Sequence, residues 1–257
     1  MIPGAWFARP EVTLAATGQR PELMSASIAA TAPAPAVARR RHLAPPIAAN
    51  SAPRSFYARY GKRALDLTLG TLMFVSLLPL ISLIAVAVLI TSGWPIFYAS
   101  ERVGRGGQPF RMWKFRTMVR DADAVFERWK ATHPALAQQL LTSWKLQDDP
   151  RVTALGRFLR KSSLDELPQF WNVLNGTMTL VGPRPYLSRE SLDPALEEAI
   201  VSVKPGLTGP FQVCGRKGLT PLARQAMEAG YAEDVSFARD AGYLLWTLRP
   251  LLRMDGD

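Results

Sequence analysis

The sequence predicts a mainly α chain with a few short strands (α+β), joined to a helix hairpin that dips into a membrane. Three observations carry this. Leu67–Ile90 is an uncharged apolar run of 24 residues. Several later segments repeat their apolar residues at helical spacing. Ile96–Tyr98 and Phe110–Phe115 are short, rich in aromatic residues and joined across Gly104-Arg105-Gly106-Gly107, the pattern of paired strands around a turn. The chain then divides into an Ala/Pro-rich tail over residues 1–55, a membrane-inserted segment over 56–95 and a cytosolic domain over 96–257.

The tail contains Ala, Pro, Ser and Thr with few large apolar residues, and cannot bury enough surface to offset its ordering entropy. Disorder is the expectation. No apolar run precedes a cleavage site, so a signal peptide fits poorly. Arg39, Arg40 and Arg41 are either a lipid-headgroup contact or a solvated cluster.

At about 1.5 Å per residue, the apolar run is long enough to cross a hydrocarbon core roughly 30 Å thick. A buried helix of a soluble protein rarely runs so far without a polar face. Pro79 interrupts the run at its middle, and Ser76, one turn earlier, is placed to take up a freed backbone group. Arg59, Lys62 and Arg63 precede the run, and Arg102, Arg105 and Arg111 follow it. Equal basic flanks suit a re-entrant hairpin with both ends on one face, against the alternative of a single kinked span.

Further along, Asp121–Thr132 has helical spacing, and Arg157–Leu159 ends another short element. Pro168–Asn175 reads as a helix stopped by Gly176. Glu197–Val203, Ala223–Tyr231 and Asp240–Leu252 complete the helical segments, some of them amphipathic enough to lie at a membrane interface.

Composition narrows the chemistry. The 257 residues carry 31 Lys and Arg against 21 Asp and Glu, a net charge of +10 that favours an anionic partner. Cys214 is the only cysteine, and His42 and His133 the only histidines, so disulfide frameworks and Cys/His zinc sites are excluded by counting. Neither histidine sits beside a nucleophile motif. Catalysis must therefore run on carboxylates, Lys, Arg, hydroxyls or a hard metal ion.

Asp165 and Glu166 are the carboxylates that stand out, within Ser163-Leu164-Asp165-Glu166-Leu167-Pro168-Gln169. Ser163-x-x-Glu166 has the spacing of a capping box, a purely structural role. A cap at Ser163 would put Pro168 inside the helix, however, where it breaks a hydrogen bond. With Pro168 at the first position, both carboxylates lie in a loop at the positive end of the helix dipole, where Asp165 stays ionised. Lys114-Phe115-Arg116, Arg157, Arg160, Lys161, Gly182-Pro183-Arg184-Pro185 and Gly215-Arg216 add cations and backbone donors suited to a diphosphate.

With these runs in view, the stretch from about Lys62 onward resembles the bacterial sugar transferases, the monotopic polyprenyl-phosphate phosphoglycosyl transferases. The matching runs include Lys62-Arg63-Ala64-Leu65-Asp66, Glu101-Arg102-Val103-Gly104, Lys114-Phe115-Arg116-Thr117-Met118 and Leu155-Gly156-Arg157-Phe158-Leu159-Arg160-Lys161. The Asp165-Glu166 run, Asn172-Val173, Leu180-Val181-Gly182-Pro183-Arg184-Pro185 and Lys204-Pro205-Gly206-Leu207-Thr208-Gly209 complete them. Ser100 stands where many relatives carry Gln, and Pro210-Phe211 interrupts a run that is usually of small residues. Tyr231, Ser236 and Asp240 come in familiar order with different spacers.

The resemblance implies transfer of a sugar 1-phosphate from a UDP-sugar, UDP-galactose or UDP-glucose, to undecaprenyl phosphate, with UMP released, at the start of exopolysaccharide or other surface glycan synthesis. It implies Asp165 as a nucleophile that carries the phosphosugar. Glu166 would assist in metal binding or proton transfer, and Mg²⁺ would be held by Asp165 and Glu166. Lys114, Arg116, Arg160, Arg184 and Arg216 match positions expected to line the phosphate site. The bacterial inner membrane, with the catalytic domain facing the cytoplasm, is the implied location; lipids are implied partners, and a homodimer is left open. A membrane-tethered nucleic-acid binder is the alternative suggested by charge, yet no nucleic-acid-binding module is visible. A non-catalytic scaffold is the third.

Overall fold

The computed structural model describes residues 55–133, 149–188, 190–213 and 219–253, with backbone alone over 248–253. The tail over 1–54, the arginine triplet and Arg216 lie outside the described residues. A π turn at Tyr57–Gly61 leads into α1 (Lys62–Ser92). Next come β1 (Phe97–Val103), β2 (Pro109–Phe115), α2 (Ala122–Thr132), α3 (Ala154–Lys161) and α4 (Gln169–Asn175). The chain continues through β3 (Thr179–Val181), α5 (Pro194–Val201), β4 (Gly206–Thr208), α6 (Pro210–Val213), α7 (Pro221–Glu233) and α8 (Phe237–Arg253). The described part is thus mainly helical with a few short strands, as the sequence predicts.

α1 is a single helix of 31 residues with Pro79 inside it. The expected turn at Pro79 does not appear as an interruption: helical backbone continues on both sides. A proline removes one N–H and crowds one carbonyl, which bends a helix without ending it. Ser76 makes no side-chain hydrogen bond among the described residues, so it does not take up the freed group as expected. Termination comes instead at Gly93, whose φ of 72° breaks the helix.

Both ends of α1 rest on the rest of the chain. Near its start, Lys62 Nζ donates to Asp240 Oδ2 at 2.6 Å, and Arg63 donates to the Val173 and Leu174 carbonyls at 2.7 and 2.8 Å. Buried Asp66 accepts from Thr179 Oγ1 and the Leu180 N–H, both at 2.9 Å. Near its end, Ile84 and Val88 pack with Phe115 and Leu159, and Arg116 donates to the carbonyls of Ser92 and Gly93. A straight helix of this length would reach about 46 Å. Its outward residues stay apolar, with Leu72, Leu83 and Ile90 exposed at 64%, 66% and 79%.

β1 and β2 form an antiparallel hairpin in which Phe97 faces Phe115 and Val103 faces Pro109. It is longer than its sequence signal because Ser100, Glu101 and Arg102 are polar strand residues. β3 and β4 pair in parallel through Thr179↔Gly206 and Val181↔Thr208, a pairing three residues long that no periodicity announces. The core beneath them gathers Met112, Phe170, Val173, Met178, Leu180, Val181 and Tyr231.

Local sequence sets the helices that carry the site. Thr153 caps α3 by accepting from the Gly156 N–H at 2.9 Å. A Cβ on Gly156 would lie 2.1 Å from the Thr117 carbonyl, so glycine lets α3 lie against the strand exit. Pro168 sits one residue before α4, and Gly176, at φ 84°, ends it.

Candidate active site

The antiparallel register places Tyr98, Ser100 and Arg102 opposite Lys114, Met112 and Phe110, so Lys114 and Arg102 share one face of the hairpin. Lys114 meets the carboxylates there. Its Nζ lies 2.6 Å from Glu166 Oε1 and 3.7 Å from Asp165 Oδ2.

Asp165 and Glu166 occupy a 3₁₀ turn, Leu164–Glu166, ahead of α4. Ser163 is left-handed at φ 56° and its side chain makes no capping bond, which removes the capping-box reading. Leu164 packs toward Phe115 and Leu159, and this anchors the turn. Asp165 is turned inward, 7% exposed, whereas the Glu166 side chain stays 40% exposed. The left-handed serine fixes this division between a buried and an open carboxylate.

Burial pushes the Asp165 carboxyl up to about 6; Lys114 and Arg160 pull it down, while Glu166 pushes it up. The sequence expectation was a carboxylate kept low by a helix dipole. Desolvation outweighs that effect, yet at pH 7 the ionised form still dominates by about tenfold.

The predicted cations divide. Arg160 faces the site, with its Nε donating to Thr117 Oγ1 at 2.9 Å and its field lowering Asp165. Arg116 is only 8% exposed and is spent on the Ser92 and Gly93 carbonyls, so it anchors α1. Arg184 pairs with Glu190 at 3.0 Å, and its backbone N–H donates to buried Glu228 at 2.9 Å. The Glu228 carboxylate also accepts from the Tyr186 hydroxyl, which fixes the Gly182–Tyr186 loop.

Arg102 was read from sequence as a membrane flank and as part of a family-matching run, without a role at the site. It donates to the Pro185 carbonyl at 3.1 Å, and burial, then Arg184, holds its guanidinium below the usual range while Glu190 and Glu166 oppose. Arg102 thereby joins the hairpin to the Arg184 loop, within the field of Glu166. Its place in Glu101-Arg102-Val103-Gly104 was the available signal; Glu190 and Glu228 had none, since solitary glutamates look like surface. Among the described residues no group of three or more His, Cys, Asp or Glu gathers as a metal site. Asp165 and Glu166 supply two hard oxygen donors, the number Mg²⁺ commonly takes from protein when substrate phosphates and water complete its shell.

Two adjacent carboxylates under a lysine, with Arg160 nearby, have the chemistry that suits a phosphorylated electrophile. A model of the bacterial sugar transferase family matches residues 57–254. The chain belongs to that family. As a member, the transferase is an enzyme, which sets aside the scaffold and nucleic-acid readings. It is 40% identical over 180 residues to exopolysaccharide production protein ExoY of Sinorhizobium fredii, covering 70% of this chain and 80% of that one. It is 38% identical over 200 residues to the UDP-galactose-lipid carrier transferase of Erwinia amylovora, covering 77% of this chain and 42% of the relative. The undecaprenyl-phosphate galactose phosphotransferase of Salmonella typhimurium is 38% identical over 209 residues, with 80% and 43% covered. The chain thus spans four-fifths of the first relative and less than half of the other two. In the transferase, Phe211, which departs from the family's small-residue run, sets its ring 5.6 Å from the Arg184 guanidinium.

Proposed function

We propose that the transferase moves a sugar 1-phosphate from a UDP-sugar, with UDP-galactose or UDP-glucose the favoured donors, to undecaprenyl phosphate, initiating exopolysaccharide or other surface glycan synthesis. The observation that carries this is the buried Asp165 carboxyl beside Lys114, with Arg160 lowering its pKa as Lys114 does. The names of the relatives supply the substrate class.

In this mechanism an Asp165 carboxylate oxygen attacks the phosphorus that bears the sugar. The bond from that phosphorus to the bridging oxygen breaks, and UMP leaves with the electron pair. An oxygen of undecaprenyl phosphate then attacks the same phosphorus. The bond to Asp165 breaks, which restores the carboxylate and yields the lipid diphosphate sugar. Lys114, Arg160, Arg184 and Arg102 orient the donor and offset its charge. Mg²⁺, held by Asp165 and Glu166, would neutralise the diphosphate. Glu166, the more open carboxylate, is placed to serve the metal or a proton.

The reading extends to topology: α1 enters the inner membrane and both its ends stay on the cytoplasmic face, where UDP-sugars are found. Support comes from contacts at Arg63 and Asp66 near one end and at Ile84, Val88 and Ser92 near the other, all made to the domain after α1. Exposed Phe158 and Trp171 suit an interface with lipid. UMP release from several UDP-sugars, measured with and without undecaprenyl phosphate, tests the reaction. Turnover with one donor supports it, and no UMP from any UDP-sugar contradicts it.

A further inference from the structure

Arg63 and Lys204 converge near the C-terminal end of α4, the charge of Arg105 in the β1–β2 turn is felt at Lys204, and no carboxylate lies in ion-pair range of any of the three among the described residues. Arg63 belongs to the first turn of α1, Lys204 to the segment before β4, and Arg105 to the β1–β2 turn. A Cβ on Gly176 would come 3.4 Å from both Arg63 Nη2 and Lys204 Nζ, so the two cations flank the same bare stretch of backbone.

The end of α4 accounts for Arg63, whose two nitrogens cover the Val173 and Leu174 carbonyls. It does not account for Lys204, which is half-buried and makes no hydrogen bond among the described residues. Burial first, then Arg63 and Arg105, hold the Lys204 ammonium below its usual range, with Asp66 opposing. That Asp66 carboxylate is already committed to Thr179 and Leu180. Cations that outnumber their counter-charge, here with Asp66 the one opposing carboxylate named, repel one another, and an anion between them relieves the repulsion.

The cluster is separate from the catalytic pair. α4 starts three residues after Glu166 and ends beside Gly176, and seven residues of helix put about 10 Å between its two ends. Arg63 also stands one turn ahead of the apolar run, at the depth of lipid headgroups if α1 enters the bilayer. We propose that Arg63, Lys204 and Arg105 form a second anion site that binds the phosphate of a lipid headgroup beside the start of α1. The lipid assignment rests on the membrane reading above; the phosphate chemistry does not.

The test uses the full chain in nanodiscs of phosphatidylcholine alone or mixed with phosphatidylglycerol, and separately in neutral detergent with or without inorganic phosphate. The rate of Lys204 acylation is read by mass spectrometry against Lys130, which is paired with Glu127 away from the cluster. Phosphatidylglycerol should slow Lys204 by roughly tenfold, the protection given by a ligand at about ten times its dissociation constant. Inorganic phosphate should also protect it, and Arg105→Gln should lose most of both effects. Equal Lys204 rates in both lipids and no effect of phosphate would overturn the site. Protection by phosphate alone, with the chain embedded in nanodiscs, would overturn its assignment to a lipid. A chain that fails to enter nanodiscs at all would defeat the membrane reading, and the detergent arm would still decide the anion site.

Discussion

Lys114 Nζ lies 2.6 Å from Glu166 Oε1, an ion pair that holds the lysine beside the deeper Asp165. The lysine has two roles in this geometry. It keeps the Asp165 carboxyl from rising further, and it stands ready to exchange a carboxylate for a phosphate oxygen. Lys114→Met should therefore shift the acid limb of the pH–rate profile for UMP release upward from about 6. It should also lower kcat/KM at neutral pH by roughly 10²-fold, the scale of removing one preorganised charge from a developing anion. An unshifted limb would show that Lys114 does not tune Asp165.

Asp165→Asn should stop turnover and leave a more stable protein at neutral pH. The Asp165 carboxyl is raised from 3.8 to about 6, so the folded chain holds that proton more tightly than the unfolded chain does. Its contribution to stability is present below 3.8 and is lost as pH rises through about 6. A rise of that size corresponds to about 3 kcal/mol at most. Thermal unfolding should thus favour the Asn variant at pH 7.5 and show little difference near pH 3.5. A variant less stable than wild type at pH 7.5 would contradict the buried-charge account.

Chelation of divalent cations should abolish UMP release, and added Mg²⁺ should restore it. With only Asp165 and Glu166 as donors, the metal needs the diphosphate to complete its shell. Mg²⁺ should accordingly bind weakly without nucleotide and tightly with it, as isothermal titration would show. Full activity in excess chelator would remove the metal from the mechanism.

The topology has its own test. Single cysteines at Ser55 and Gly107, placed in a Cys214→Ser background, can be probed with a membrane-impermeant thiol reagent on intact spheroplasts. Both should be protected until the membrane is opened. Labelling at Ser55 alone in closed spheroplasts would indicate a single span.

The sequence reading located most elements because their causes are local. Gly176 stops α4, and the glycine-rich turn sets the hairpin. It did not find the β3–β4 pair, whose three-residue strands owe their place to contacts such as Asp66 to Leu180 across the fold. The Asp165-Glu166 pair was legible because Pro168 is ill-suited to a helix interior. Which carboxylate is buried was not, since that depends on the left-handed Ser163 and on Leu164 packing. Sequence could not show that Arg116 would donate to the Ser92 and Gly93 carbonyls at the end of α1, since a lone arginine beside a strand carries no sign of a distant carbonyl partner. Arg102 and Glu190 reach the site only through the pairing of distant segments.

The covalent intermediate tests the central claim most directly. Wild-type protein incubated with UDP-sugar and Mg²⁺ but no lipid acceptor should release UMP once and gain the mass of one hexose phosphate, found by mass spectrometry on the peptide that contains Asp165. Adding undecaprenyl phosphate should remove that mass, and Asp165→Asn should never acquire it. Steady turnover with no labelled Asp165 peptide at any time, or a label that persists in the Asn variant, would contradict the account.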